Sequence, residues 1–168
     1  MNIKHFSVII PCQRDVTVFG SELAKLKEEL VSFCVESSGV GLSASQVGIE
    51  ERLFVFQRTD GTWELVCNPK MKPLKESGLV KGIEGCLSVP NESFEIRRWQ
   101  EVEASWQDEN GQLRTETLTG FDARVFQHEF DHLVAHSIRD RHAGQYRSGR
   151  YESSRQEKRL REKRKNAR

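Results

Sequence analysis

The sequence predicts an α+β fold in which antiparallel strands pack around a central helix, with an amphipathic helix near the N-terminus. Three observations carry this. Two pairs of β-rich runs, each joined by a turn, occupy the middle of the chain. An apolar helical period precedes them from Ser21 to about Glu36, and a second follows from Phe121 to Ala135. The resulting order of helix, hairpin, irregular loop, hairpin and helix suits strands and helices packed as separate layers.

Taken in order, Val8 to Ile10, closed by Pro11, reads as an edge strand or extended arm. Leu23, Leu26, Leu30 and Phe33 then recur at helical spacing, with Ser21 placed as the N-cap. In Gly39-Val40-Gly41-Leu42-Ser43-Ala44-Ser45-Gln46 two close glycines permit tight backbone approaches, and small residues lead to one long amide. This is either an ordinary Gly-rich turn or a loop lining a cleft, where Gln46 offers its amide N–H to a substrate oxygen. No phosphate-cradling glycine pattern is present. Arg52–Gln57 and Trp63–Asn68, joined through Asp60-Gly61, form a hairpin that Asn68-Pro69 ends. Irregular chain leads through Gly78 and Gly82 to Glu84-Gly85-Cys86-Leu87-Ser88-Val89-Pro90. Val102, Ala104 and Trp106 alternate with polar neighbours, Asp108-Glu109-Asn110-Gly111 turns, and Leu113 to Leu118 returns. Thr119 and Asp122 are placed to cap the last helix.

That helix holds His128-Glu129-Phe130-Asp131-His132. Histidines four apart project from one helix face a turn apart, so both imidazoles reach a single metal ion. Glu129 sits where a carboxylate takes a proton from water at such an ion, as in metal-dependent hydrolases. The bland alternative is a helix carrying two hydrogen-bonded histidines. Against it, Val125 shares the histidine stripe while Phe126, Phe130 and Leu133 line another, and a helix apolar on two sides is buried. Burying two imidazoles and a carboxylate is costly unless something pairs them. Two histidines leave a catalytic site one protein ligand short. Cys86 is the best candidate for the third, as a thiolate, although alone it would be a passive small hydrophobe. His136 lies about 6 Å further along the helix axis than His132 and is expected to be exposed. Glu84 is expected to support the cysteine loop through hydrogen bonds.

Charge divides the chain. Residues 147–168 contain ten Lys and Arg against three Glu, about +7, so the formal net charge of +1 leaves about −6 on residues 1–146. A single catalytic domain over 1–146 and a basic tail over 147–168, helical or disordered, are expected. The tail either binds a polyanion such as ribosomal RNA or only solubilises. No apolar run approaches the ~20 residues that cross a bilayer, and no signal or transit plan opens the chain, so a cytoplasmic protein without a membrane partner is expected. The four cysteines, Cys12, Cys34, Cys67 and Cys86, show no close pairing and read as free thiols or ligands.

Three segments in order, Gly39 to Gln46, Glu84-Gly85-Cys86-Leu87-Ser88 and His128-Glu129-Phe130-Asp131-His132, resemble the three signature motifs of peptide deformylase. Those are G-φ-G-φ-A-A-x-Q with φ apolar, E-G-C-L-S and H-E-x-D-H. The likeness spans about residues 39–141. It implies a hydrolase that removes the formyl group from the N-terminal formyl-methionine of nascent polypeptides and releases formate. Cys86, His128 and His132 would hold one divalent ion, with Fe2+ expected and Zn2+, Ni2+ or Co2+ as substitutes. Glu129 would be the general base, and the Gln46 side chain and Leu87 backbone N–H the oxyanion donors. Val40, Gly41, Leu87 and Val125 would wall the methionine pocket, and a monomer is expected.

The chain departs from the family pattern at Ser43, where alanine is usual, and at Ser45, Asn91 and Ala135, the last two where glycine is frequent. It also lacks an N-terminal Asp-Pro-x-Leu. Two other readings fit less of the chain. An HExxH metalloprotease leaves the Cys86 motif unexplained, and a silent metal-stabilised RNA-binding domain leaves Glu129 and Gln46 unexplained.

Overall fold

The computed structural model describes residues 9–12 and 14–148, so Val8 and all but the first two residues of the basic tail lie outside the described residues. The fold is mixed α+β, with antiparallel sheets and three helices. β1 (Gly41–Ser43), β2 (Leu53–Gln57), β3 (Trp63–Pro73), β6 (Glu101–Gln107) and β7 (Leu113–Thr119) form one sheet in the order β1-β2-β3-β6-β7. β4 (Leu79–Cys86) and β5 (Val89–Trp99) form a second, two-stranded sheet. The helices are α1 (Ser21–Glu36), α2 (Gly120–His132) and α3 (Ile138–Ser148).

β2 explains the core. Leu53, Phe54, Val55 and Phe56 are all buried, so this strand is covered on both faces. Phe54 and Phe56 share one face and meet Phe126 of α2 edge-on, with ring centroids 5.0 and 5.8 Å away. Trp106 of β6 reaches the same ring at 5.7 Å. α2 is thus held against the sheet by one aromatic cluster, and burying a side chain the size of Phe126 contributes about 1.5–3 kcal/mol. α1 packs on β1 and β2 through Leu23, Leu30 and Cys34, which are its buried residues.

Several elements differ from the sequence expectation for identifiable reasons. Asn68-Pro69 does not end β3. Asn68 adopts φ 53 at a bulge between Cys67 and Lys70, which absorbs the missing proline N–H and lets pairing with β6 resume through Pro73. The stretch expected to be irregular is the β4–β5 hairpin. Most of its side chains are exposed, so no buried face imposes an apolar alternation. The Gly-rich segment begins as a strand, β1, before a 3-10 turn over Ala44–Gln46. Ser21 is the first residue of α1 and Gly20 holds the N-cap position, at φ 111 where glycine is favoured. Thr119 makes no side-chain cap on α2, and Asp122 turns to the backbone N–H and hydroxyl of Thr59, at 2.8 and 2.6 Å, and to Arg58.

Two backbone features position the C-terminal end of α2. After His132 the chain closes in a Schellman turn: the N–H of Ala135 donates to His132 O, and that of His136 to Asp131 O, with Ala135 at φ 57. The N-terminal arm then crosses beside it, and Cys12 N–H donates to Leu133 O at 3.0 Å. The arm continues into a parallel bridge between Arg14 and Glu51.

Candidate metal centre and active site

Cys86, His128 and His132 bring one ligand atom each to a single place, all within 4.8 Å of one another. Cys86 ends β4, and a two-residue turn, Leu87-Ser88, reverses the chain so that Cys86 pairs with Val89. The turn aims the thiol at α2, where its sulfur lies 3.3 Å from Nε2 of His132. The two imidazoles stand 4.7 Å apart and nearly perpendicular. Helical spacing sets that separation.

Glu129 shares this helix and lies beneath β1. A Cβ on Gly41 would come within 2.4 Å of the Glu129 Oε1, so only glycine lets the strand pass so close to the carboxylate. The second oxygen of Glu129 is buried and has no hydrogen-bond partner among the described residues. Gln46 approaches from the 3-10 turn. Its Oε1 accepts the backbone N–H of Ser43 at 2.9 Å, which leaves Nε2 to face Ser88 Oγ at 3.0 Å and the Cys86 sulfur at 3.9 Å. Val40, Gly41, Leu87 and Val125 line the same cleft, an opening of about 630 Å³ onto which His128 and Glu129 also face. His132 sits behind it, almost fully buried.

A second set of groups fixes the ligands, and sequence reasoning found only part of it. Glu84 turns to His128 rather than to the cysteine loop: its Oε2 lies 3.0 Å from Nδ1. The Nδ1 of His132 donates to the backbone carbonyl of His136 at 2.8 Å. Both imidazoles are therefore held with Nε2 free for a ligand role. His136, expected to be exposed, is only partly so, and contributes through its carbonyl. Arg98, buried on β5, joins Glu84 at 2.8 Å to Asp131 at 2.5 Å, and Arg141 of α3 also pairs with Asp131. Arg124 adds a contact to Glu84 at 2.7 Å. Gln127 acts as a strand edge for β5, accepting Trp99 N–H at 3.0 Å and donating to Trp99 O at 2.9 Å. The available signal was polar residues on a helix otherwise built to be buried.

The electrostatics favour a cation at this place. Burial would lower the pKa of His128, but hydrogen bonds with Cys86 and Glu84 and the charge of Glu129 push it up to about 10. A divalent ion held here would take the place of that proton, because an imidazole must be deprotonated to act as a ligand. Burial holds His132 neutral, down at about 3, with the neighbouring His128 acting in the same direction. Burial pushes Glu129 up to about 7, opposed by His128 and Arg98. Burial would also raise Glu84, yet His128 and Arg98 hold it well below the usual carboxylate range. One thiol and two imidazoles suit a divalent transition metal with a position left open, and the unpaired Glu129 oxygen supplies a proton acceptor beside it.

The family model for polypeptide deformylase matches residues 8–148, beyond the 39–141 marked by the motifs. The chain belongs to the polypeptide deformylase family. Deformylases are metal-dependent hydrolases that remove the formyl group from new polypeptides, and this chain is an enzyme of that family. It is 37% identical to the peptide deformylase of Symbiobacterium thermophilum over 122 residues, 71% of this chain and 55% of that one. It therefore spans little more than half the length of that relative. With the Thermotoga maritima peptide deformylase it shares 39% identity over 128 residues, 76% of this chain and 77% of the relative. The crystal structure of a peptide deformylase from Thermus thermophilus superposes with a TM-score of 0.73 at 35% identity, covering 81% of this chain and 84% of that one.

Proposed function

We propose that this chain releases formate from the formyl-methionine at the N-terminus of nascent polypeptides, using Cys86, His128 and His132 to hold one divalent ion. The observation that carries this is the meeting of those three ligand atoms with the buried, unpaired oxygen of Glu129 at the base of one cleft, which Cys86, His128 and Glu129 line. Fe2+ is the expected ion, with Zn2+, Ni2+ or Co2+ able to substitute. When bound, the ion supplies Lewis acidity toward the formyl oxygen and acidifies the attacking water.

The protein's own groups do the rest. Glu129 takes the proton of the water and passes it to the departing amine nitrogen; burial, which raises its pKa, makes it a competent base near neutral pH. Gln46 Nε2 and the Leu87 backbone N–H donate to the oxyanion of the tetrahedral intermediate, a contribution of about 2.7–4 kcal/mol per donor in comparable sites. Val40, Gly41 and Val125 form walls for the methionine side chain. Glu84 and the His136 carbonyl keep both imidazoles in the ligating tautomer. The proposal keeps a single catalytic domain over 1–146, acting as a cytoplasmic monomer. No helix among the described residues is long and apolar enough to cross a membrane.

Formate release from a formyl-Met tripeptide, by nickel- or iron-loaded protein beside its Glu129→Ala variant, tests the reading. Release by the wild type that disappears in the variant, with metal near one per chain in both, is expected. A wild type that binds metal and releases no formate overturns it.

A further inference from the structure

We propose that Ser43 and Ser45 are positioning residues that set the Gln46 amide before substrate arrives. This rests on the reading of Gln46 as an oxyanion donor. Gln46 closes a 3-10 turn of three residues, Ala44–Gln46, and such a turn has too few hydrogen bonds to hold one geometry by itself. Here it is braced from its N-terminal side. Ser43 and Gln46 form a capping box, the hydroxyl of Ser43 serving the backbone N–H of Gln46 while the Gln46 Oε1 takes the backbone N–H of Ser43 at 2.9 Å. The second half of that box decides function. A backbone N–H only donates, so the amide must present its oxygen to Ser43 and its Nε2 to the cleft.

Ser45 completes the arrangement. Its hydroxyl lies 3.1 Å from that of Ser43 and donates to it, and both side chains are fully buried. Two buried hydroxyls are costly unless paired. Paired with each other and with the turn, they restrict the rotation of Ser43 and hence the geometry of the box. On the other side the Gln46 amide is steadied by Ser88 Oγ at 3.0 Å, so the donor is held at both ends while its N–H group faces the site.

The test is a double-mutant cycle on the metal-loaded full chain, using formyl-Met tripeptide, with Ser43→Ala, Gln46→Ala and the pair together. Ser43→Ala is expected to lower kcat about fivefold, the ratio that losing one N-cap hydrogen bond corresponds to, with KM unchanged within about twofold and metal content intact. In the Gln46→Ala background the same substitution is expected to change kcat less than about twofold, because no donor remains to be positioned. Side-chain amide exchange of Gln46, followed by NMR, is expected to quicken at least about threefold in Ser43→Ala and in Ser45→Ala. An equal loss from Ser43→Ala in both backgrounds, or unchanged kcat and exchange in the single variants, overturns the proposal while leaving Gln46 as a donor. Full activity in Gln46→Ala overturns the donor reading and this proposal with it.

Discussion

Gly41 and the cysteines show how much a single position can decide. The Gly41 backbone passes so close to Glu129 that a methyl group would overlap the carboxylate. Gly41→Ala is therefore expected to displace Glu129 and lower kcat by about a hundredfold, the scale of loss when a reacting group moves by about 1 Å, while metal content stays near one per chain. An active Gly41→Ala enzyme would count against Glu129 as the base. The cysteines divide by burial. Burial pushes the thiols of Cys34 and Cys67 up to about 12 and that of Cys12 up to about 11, whereas Cys86 is only partly buried. The thiolate is the nucleophile, so maleimide at neutral pH is expected to modify Cys86 alone after chelation, and none of the four with metal bound. The raised values also act on stability. Each buried thiol favours the folded state fully below the unfolded value of 9.0, and that contribution is lost as pH rises from there through the folded value. Urea midpoints should accordingly fall above pH 9, less steeply in Cys67→Ala; identical slopes in the two proteins would refute this.

At the scale of elements, the Schellman turn after α2 links helix termination to the metal site. Ala135 occupies its left-handed position and donates to His132 O, and the next carbonyl, that of His136, holds the His132 ring. Ala135→Pro forbids that conformation and removes the N–H, a loss of about 3 kcal/mol or more. It is expected to lower metal affinity at least about tenfold, as loss of a ring's outer partner does, whereas Ala135→Gly retains both stability and metal within measurement. Equal metal retention by the two variants, read after dialysis, would sever the link. The sequence departure at Ala135 was legible, but its consequence was not: a glycine position points to a turn, and nothing local says which carbonyl the turn delivers. The same limit runs through the rest of the structure. The hairpin β2–β3 was visible as two β-rich runs joined through Asp60-Gly61, and β6–β7 as an alternation with turn residues. β4–β5 was not, because its strands are mostly exposed and its turn, Leu87-Ser88, lacks a turn signature. Among site residues, helical spacing and motif order placed the histidines, Glu129, Cys86 and Gln46 in view. Arg98 stayed hidden, since its value comes from bridging Glu84 and Asp131 on different elements, a relation that only tertiary packing creates.

For the whole molecule the dominant feature is the opposition of charge between residues 1–146, about −6, and residues 147–168, about +7. At physiological salt such charges act over about 8 Å. Its repeated Arg and Lys match a phosphate backbone, for which binding strength follows the number of neutralised phosphates and falls steeply with salt. We propose that the basic tail raises the local concentration of the enzyme beside ribosomal RNA, where new polypeptides emerge. We predict that full-length protein sediments with ribosomes at low salt and that a chain ending at Ser148 does so far less. Both should release formate from a free tripeptide at rates within about twofold, since every residue assigned to metal or substrate precedes the tail. Raising salt from about 50 to about 200 mM should release the full-length protein, by a factor that grows with the number of phosphates engaged. Equal sedimentation of the two chains would reduce the tail to a solubilising segment, and a large loss of peptide activity on truncation would place it instead in the catalytic fold.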